Sequence, residues 1–157
     1  MKLILAADFS GFALKETVKR HLEEQGHEIT DVGHREDGQQ VVYPEAAGRL
    51  CREFLKGGYD RGLVFCGTGA GVSITANKFR GIYCVPCESV YTALKCPVIN
   101  QANVLAMGAN VVGGENACKI ADAWLSQSFC QDFAPERAAF IEGLYGKLQE
   151  IEAENFC

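Results

Sequence analysis

A cysteine followed by a glycine-rich loop is the feature of this sequence with the clearest chemistry. Residues 65–74 read FCGTGAGVSI, so Cys66 precedes a loop that contains Gly67, Gly69 and Gly71. Glycines allow a ligand to approach the backbone closely, and free amides at a helix start favour a phosphate or an oxyanion formed during reaction. The partial positive charge at the helix start also favours the thiolate form of a cysteine at the loop entrance. Such a thiolate can act as a nucleophile or as a base.

Nucleotide binding is a weaker interpretation of this loop. The phosphate loop of nucleoside triphosphatases requires G-x-x-x-x-G-K-[ST], and the sequence does not contain that pattern. The dinucleotide fingerprint G-x-G-x-x-G needs an acidic residue about 20 positions later. Here the loop reads G-x-G-x-G with Glu88 near that distance, and it occurs too late in the chain for a second mononucleotide half. A tight turn beside a buried thiol would explain one glycine rather than three.

Asp8, which ends the first apolar run in AADFSG, is the second candidate for chemistry. The first and third strands of a parallel sheet can be neighbours at the switch point, so Asp8 and Cys66 would share a cleft. Asp8 is equally suited to cap the following helix, and the two roles are compatible.

Strand-like and helix-like segments alternate along the chain and must position these residues. This alternation predicts a parallel sheet of about five strands covered by helices on both faces, with ligands beyond the carboxyl ends of the strands. The strand patterns are 2–8, 27–33, 61–66, 81–87 and 103–109. The helix patterns are 13–26, 43–58, a segment from the glycine loop to Lys78, 89–96, 114–129 and 135–156.

Length, charge and apolar runs exclude several classes of protein. The 157 residues predict a single domain over 1–157, and the formal net charge of −5 without a basic stripe argues against a nucleic-acid partner. The apolar N-terminus is too short for a signal peptide, and no run approaches the ~20 apolar residues of a membrane span. We therefore expect a cytoplasmic protein that does not contact a membrane.

The eight cysteines are expected to be thiols in the reducing cytosol rather than disulfides. Cys84 and Cys87 form a C-x-x-C pair, but in a strand pattern their side chains face opposite sides, and no second pair of metal ligands follows. We interpret this pair as structural and expect no metal. Cys157, the last residue, is expected to be frayed. Three cysteines in apparent helices are predicted to be small core residues: Cys51, Cys118 and Cys130.

The C-terminal segment, 135–157, carries a long helical pattern. Such a helix after a complete sheet packs either on its own domain or on a second subunit, and we favour the second subunit. Its apolar residues recur at spacings of three and four: Phe140, Ile141, Leu144, Leu148 and Ile151.

Five blocks of the sequence carry a resemblance to a known family. The most specific is FCGTGAGVSITANKFRGI, and AADFSGFALK, ITDVG, VYP and QANVLAMGANVVG support it in the expected order, up to about residue 129. They resemble the family of ribose-5-phosphate isomerase B and the galactose-6-phosphate isomerase subunits. The resemblance implies a Rossmann-like, three-layer α/β fold and a homodimer or tetramer with active sites between subunits. It also implies aldose–ketose isomerisation of a pentose or hexose phosphate through a cis-enediolate, without metal or nucleotide.

The resemblance gives a role to each matching residue. Cys66 matches the general base that moves a proton between adjacent carbons. Thr68 matches a residue that assists at the sugar oxygens, and Asp8 matches a hydrogen-bond partner of substrate hydroxyls. The amides of Gly67 to Gly71 would hold the enediolate oxygen. The candidate substrate-binding residues are Gly67, Gly69, Ala70, Gly71, Ser73, Tyr43, Asn100, Asn103 and Arg137.

Three positions depart from the family pattern. Phe9 stands where the family usually has histidine, and Ile99 aligns with the ring-opening histidine. The segment CQDFAPERAAF, which contains Phe133, replaces a Gly-Gly-Arg-His-Gln-type phosphate motif, of which only Arg137 matches. Among the histidines of the chain, His34 follows a strand and could face the site.

Three explanations of these departures stay open. The substrate differs, for example by being open-chain and needing no ring opening; the chain works with a related second subunit; or other cations hold the phosphate. The candidate cations are Arg137, Arg80, Lys78 and Arg35. A sugar- or phosphosugar-binding homologue without turnover is the alternative to an enzyme.

Overall fold

Five strands form one parallel sheet in the structure, a computed structural model that describes residues 1–156. The strands are β1 (Lys2–Ala7), β2 (Glu28–Asp31), β3 (Arg61–Cys66), β4 (Cys84–Pro86) and β5 (Val104–Gly108). The helices are α1 (Phe12–Glu24), α2 (Tyr43–Phe54), α3 (Ala70–Ala76), α4 (Val90–Asn100), α5 (Gly114–Leu125) and α6 (Pro135–Asn155). The order across the sheet is β2-β1-β3-β5-β4. This order confirms the predicted parallel α/β sheet, with the first and third strands as neighbours.

Helices cover both faces of this sheet, so the predicted three layers are present. α1, α4 and α5 pack on one face, where Trp124 is buried together with Leu14 and Cys96. α2 and α3 cover the other face with Leu50 and Val72. The central strands β1 and β3 are near-continuous apolar runs because both of their faces are buried.

The direction of the strands divides the sheet into two edges. All strands of a parallel sheet end at one edge, called here the carboxyl edge, and begin at the other, the amino edge. α1 to α5 each follow a strand, so they begin near the carboxyl edge and end near the amino edge. After α5 the chain stays near the amino edge: the Cys130 N–H donates to the Val98 carbonyl at 3.0 Å, and Arg61, which opens β3, donates to the carbonyls of Trp124 and Gln127.

The end of α5 differs from the sequence pattern. The helix ends at Leu125 rather than at residue 129, and Cys130 lies in a turn with φ of 57°. The prediction of a helical Cys130 is therefore wrong. The physical reason is local: the Ser128 N–H donates to Oε1 of Gln131 at 2.8 Å instead of continuing the helix, and Arg61 occupies the preceding carbonyls.

The other cysteines follow the sequence interpretation more closely. Cys84 packs in the core under α2 and α3, whereas Cys87 packs in the core on the opposite face, which confirms the predicted alternation. Cys51 is fully buried and Cys118 is half-buried on α5. Cys157 lies outside the described residues. Within residues 1–156, no group of three or more His, Cys, Asp or Glu side chains is placed to hold a metal ion.

The long helix α6 is attached to the amino edge. Glu152 accepts hydrogen bonds from the Gly81 N–H at 2.8 Å and from the Tyr83 hydroxyl at 3.1 Å. Ile141 is the buried residue of this helix, whereas Phe140 is 61% exposed. A single chain therefore leaves most of the apolar side of α6 uncovered. In the part of the chain that the structure describes, the helices lack the combination of length and apolarity that a membrane span requires.

Candidate active site

Cys66 is the last residue of β3 and lies at the carboxyl edge. It pairs with Gly108 of β5 and is 4% exposed. Gly69 adopts the left-handed conformation, with φ of 79°, and this turn directs its backbone N–H back to Sγ of Cys66 at 3.1 Å. A residue with a Cβ rarely adopts this conformation. The sulfur of Cys66 therefore accepts a hydrogen bond from the loop that follows it.

The backbone of the following loop presents free hydrogen-bond donors. The Ala70 N–H reaches the Thr68 hydroxyl at 3.4 Å, and the Ser73 N–H donates to the Gly69 carbonyl. The amides of Thr68 and Gly71 have no acceptor among residues 1–156. Because Thr68 and Ala70 are exposed, this part of the loop is open to a ligand. Such donors can hold a negatively charged oxygen close to Cys66.

Two glycines allow the neighbouring segments to approach the loop closely. A Cβ on Gly108 would lie 2.4 Å from the backbone carbon of Thr68, so only glycine fits there without moving the loop. A Cβ on Gly71 would lie 2.8 Å from the ring of Tyr43. The Tyr43 ring therefore packs directly against the loop while remaining 46% exposed. The structure thus brings Tyr43, predicted to contact substrate, to the same site as Cys66.

Asp8 lies beside Cys66, directly after the neighbouring strand β1. Its backbone N–H donates to the Phe65 carbonyl at 3.1 Å. Its Oδ1 accepts hydrogen bonds from the Ser10 hydroxyl at 2.7 Å and from the Gly11 N–H at 2.8 Å. These bonds hold the turn before α1 through one carboxylate oxygen, but the N-cap residue is Gly11 and no side chain caps the helix, so the expected capping role is wrong. Oδ2 takes no part in these bonds and is available to a substrate hydroxyl.

Two residues at this site were missed by the sequence interpretation. A Cβ on Gly67 would lie 3.3 Å from Nδ2 of Asn110 and 3.4 Å from the hydroxyl oxygen of Ser10. Asn110 is held there by its N–H, which donates to the Gly67 carbonyl at 2.9 Å. Its signal in the sequence was its place directly after the β5 pattern. That signal becomes specific only when β5 is known to lie beside β3.

Ser73 and the remaining thiols belong to the core instead. Ser73 is 5% exposed, and its hydroxyl interacts with the Cys84 thiol rather than with the open side of the loop. Burial raises the pKa of Cys51, Cys84 and Cys96 to about 12. These thiols stay protonated at neutral pH and act as small packing residues.

The other predicted substrate contacts lie at the amino edge. Asn100 ends α4 and is exposed. Asn103 accepts from the Tyr83 N–H at 2.8 Å and donates to the Gly81 carbonyl at 2.7 Å. Arg137, in the first turn of α6, lies over the Phe133 ring at 5.0 Å. One chain therefore does not bring these residues together with Cys66.

The histidines do not contact Cys66 within one chain. His21 on α1 is 2.8 Å from the Asp122 carboxylate on α5, which links the two helices. Burial is the main reason that the pKa of His27 is lowered. The His34 ring packs edge-on against Phe12 with centroids 5.3 Å apart, and its carbonyl accepts from Lys15.

Comparisons with known proteins agree with one another. A family model described as Ribose/Galactose Isomerase matches residues 3–141. The chain is similar to the 4-deoxy-4-sulfo-D-erythrose isomerase of Clostridium sp. (strain MSTE9), with 40% identity across 97% of this chain and 96% of the relative. It is also similar to the D-erythrulose-4-phosphate isomerase of Pectobacterium atrosepticum, with 36% identity across 82% and 85%. The solved structure of Clostridium thermocellum ribose-5-phosphate isomerase B matches with a TM-score of 0.86 and 36% identity, across 98% of this chain and 99% of that chain.

Proposed function

Because the chain belongs to the ribose/galactose isomerase family, we propose that it interconverts an anionic aldose and the corresponding ketose, with Cys66 as the general base. The observation that supports this proposal best is the Cys66 thiol at the carboxyl edge, with the Gly69 N–H on its sulfur. The neighbouring Thr68 and Gly71 amides are free to bind an oxyanion. A base beside an oxyanion site is the arrangement that enediolate chemistry requires.

The proton transfer can be written with these groups. In the aldose-to-ketose direction, the Cys66 thiolate removes the proton from C2, and the electron pair moves into the C1 carbonyl to form an enediolate. The loop amides of Thr68 and Gly71 hold the charged oxygen. Cys66 then returns the proton to C1 while the hydroxyl hydrogen of O2 passes to O1, with Thr68 beside these oxygens. Asp8 Oδ2 orients a hydroxyl further along the sugar.

The chain length of the substrate can be argued from carbohydrate chemistry. The family resemblance by itself suggests a pentose or hexose phosphate, which is largely cyclic and must open before it reacts. A tetrose that carries phosphate on O4 or sulfonate on C4 cannot form a furanose, because the ring oxygen is blocked or missing. Ile99, at the position of the family's ring-opening histidine, has no proton to exchange. We therefore favour an open-chain, four-carbon substrate, in keeping with the names of two similar isomerases.

A second copy of the chain would complete this site. The predicted substrate contacts Asn100 and Arg137 lie at the opposite edge of the sheet from Cys66, so they reach a substrate on Cys66 only from another subunit. α6 supplies a surface for such an assembly, because its apolar residues Phe140 and Leu144 are uncovered in one chain. We propose a homodimer, or a tetramer built from dimers, with sites shared between subunits.

The activity is tested by proton exchange in deuterated water under reducing conditions. Exchange is followed by proton NMR for a panel of sugars. The panel contains ribose 5-phosphate, galactose 6-phosphate, erythrulose 4-phosphate, 4-deoxy-4-sulfoerythrose and the unsubstituted sugars. We expect isomerisation with deuterium incorporated at the reacting carbon, and the largest kcat/KM for a four-carbon substrate. Absence of exchange for every sugar of the panel contradicts the proposed isomerase activity. Saturable binding without exchange identifies the alternative, a sugar-binding homologue. A larger kcat/KM for ribose 5-phosphate contradicts the four-carbon preference alone.

A further inference from the structure

A polar cavity of about 340 Å³ opens beside the proposed active site, at the end of β2. Its walls include Arg35 and Gln39 from the segment 32–42 and Arg49 from α2. We propose that Arg35 in this cavity binds the terminal oxyanion of the substrate, a phosphate or a sulfonate. This inference rests on the proposed isomerase function, since it identifies what holds the far end of that substrate.

The cavity lies within reach of the reacting groups. The segment 32–42 is fixed to the end of β1, because the Phe9 N–H donates to the Val41 carbonyl at 3.0 Å and a Cβ on Gly33 would lie 2.3 Å from the Ala7 nitrogen. Asp8 therefore lies between the cavity and Cys66. Neighbouring strands are about 4.8 Å apart, so the ends of β2 and β3 are separated by roughly 10 Å across β1. A short sugar phosphate and an arginine side chain together span that distance.

The charge balance of the cavity leaves Arg35 free. The Asp31 carboxylate on the cavity wall is already neutralised, with Lys15 Nζ at 2.5 Å and Lys19 Nζ at 3.3 Å. Arg49 shares its charge with Glu45. Arg35 makes no salt bridge with any carboxylate in residues 1–156. A planar guanidinium without a protein partner matches the oxygens of phosphate and sulfonate, which it binds through two parallel hydrogen bonds.

The positions of the other candidate cations also favour Arg35 as the residue that binds the terminal oxyanion. Lys78 and Arg80 follow the end of α3, and Arg80 lines a separate cleft with Tyr83 at the amino edge. Arg137 also lies near the amino edge. Of the four cations that the sequence offered for phosphate binding, Arg35 is the one that a single chain places at the carboxyl edge.

Binding of simple anions tests the cavity without any turnover. Inorganic phosphate and methanesulfonate are titrated into the full chain by calorimetry, and into the variants Arg35→Ala and Arg35→Lys. Loss of charge-assisted hydrogen bonds should weaken both anions about 10- to 100-fold in Arg35→Ala and less in Arg35→Lys. Arg20→Ala, which removes the same charge from an exposed position on α1, is the matched control and should bind like the unmodified chain. Unchanged affinity in Arg35→Ala, or no anion binding by the unmodified chain, overturns the proposal.

Kinetics separate this inference from the proposed function. In Arg35→Ala, KM for a phosphorylated or sulfonated substrate of the panel should rise at least 10-fold, while exchange of the matching neutral sugar stays unchanged because it depends on Cys66. An equal loss for anionic and neutral sugars contradicts anion binding by Arg35. If the unmodified chain shows no exchange while Arg35→Ala still loses phosphate binding, the isomerase proposal fails and the anion site stands.

Discussion

The two edges of the sheet use similar polar residues in different ways. At the amino edge, two polar side chains use their hydrogen-bonding groups on the protein itself: Asn103 binds the backbone of Gly81 and Tyr83, and Glu152 binds the same segment. At the carboxyl edge, polar groups are held in place but keep unused capacity, as in the second oxygen of Asp8. Saturated groups contribute stability, whereas groups with free donors or acceptors are available to a ligand.

The cysteines show the same contrast. Cys51 and Cys84 lie in the core, where burial raises their pKa to about 12. Cys66 is equally buried, but its sulfur accepts an N–H hydrogen bond and stands next to a loop with free amides. Burial therefore does not distinguish Cys66 from these two thiols, whereas its place beside the free loop amides does.

Outside Cys66 itself, the largest change is expected from Gly108→Ala, which would disturb the carboxyl edge. The added Cβ would lie 2.4 Å from the Thr68 backbone, so the loop 67–71 must move. We expect kcat to fall about 100-fold, since displaced oxyanion donors cost on this order, and unfolding free energy to fall by ~1–3 kcal/mol from overpacking. Steady-state kinetics and urea unfolding measure the two effects.

Gly113→Ala is the matched control for this substitution. It lies five residues further along, and a Cβ there meets nothing within 4 Å. Activity and stability should remain close to those of the unmodified chain. Normal turnover in Gly108→Ala would show that the close approach of β5 does not position the loop.

Asn103→Ala tests the hydrogen bonds at the amino edge. The change leaves the Tyr83 N–H and the Gly81 carbonyl without partners, which should lower the free energy of unfolding by about 2 kcal/mol. Urea denaturation measures this loss, and Asn100→Ala, at an exposed position, should change stability by less than ~0.5 kcal/mol. An unaltered midpoint in Asn103→Ala together with a raised KM would assign Asn103 to the substrate instead.

Mixing two variants tests whether the edges meet across subunits. Cys66→Ala removes the proposed base at one edge, and Asn100→Ala removes a predicted contact at the other, so a mixed dimer contains one intact site. After co-refolding of equal amounts, about half of the dimers are mixed, and each mixed dimer has one intact site out of two. About a quarter of the activity of the unmodified chain should therefore return. Recovery is measured against each variant refolded alone. Additive activities without recovery would place both residues in a site within one chain.

The smallest effect is expected from the ionisation of Asp31. Burial opposes its charge, but hydrogen bonds from Lys15 and Gly33 and the charges of Lys15 and Lys19 lower its pKa below the ordinary value of 3.8. A lowered folded-state pKa stabilises the fold fully above pH 3.8, and this contribution is lost as pH falls through the folded-state value. Asp31→Asn should therefore flatten the acid limb of the unfolding free energy against pH, whereas Glu28→Gln, at an exposed position, should not.

The fold and the residues at the carboxyl edge could be predicted from local sequence patterns. Apolar runs of strand length fix β1 and β3, and residues directly after a strand in a parallel sheet must lie at the carboxyl edge, which located Asp8 and Cys66. The alternation along the strand pattern 81–87 also predicted that Cys84 and Cys87 face opposite sides. Each of these inferences depends on neighbours along the chain.

Contacts between distant segments could not be predicted in this way. The partners of Asn103 are about twenty residues away, and the end of α5 is set by Arg61 from another strand. Arg35 could be chosen among the four candidate phosphate-binding cations only when the path of the segment after β2 was known. Hydrogen-bond saturation depends on three-dimensional neighbours, so the sequence could name polar candidates without showing which of them stay available.

Deuterium exchange by Cys66→Ala tests most directly whether Cys66 is the general base. Removal of the base should lower the exchange rate and kcat/KM by about 10³-fold, within the range usual for a general base, without loss of fold. Cys118→Ala, which removes a half-buried thiol from α5, should exchange like the unmodified chain. Wild-type exchange in Cys66→Ala would contradict the central claim that the thiol at the carboxyl edge moves the substrate proton.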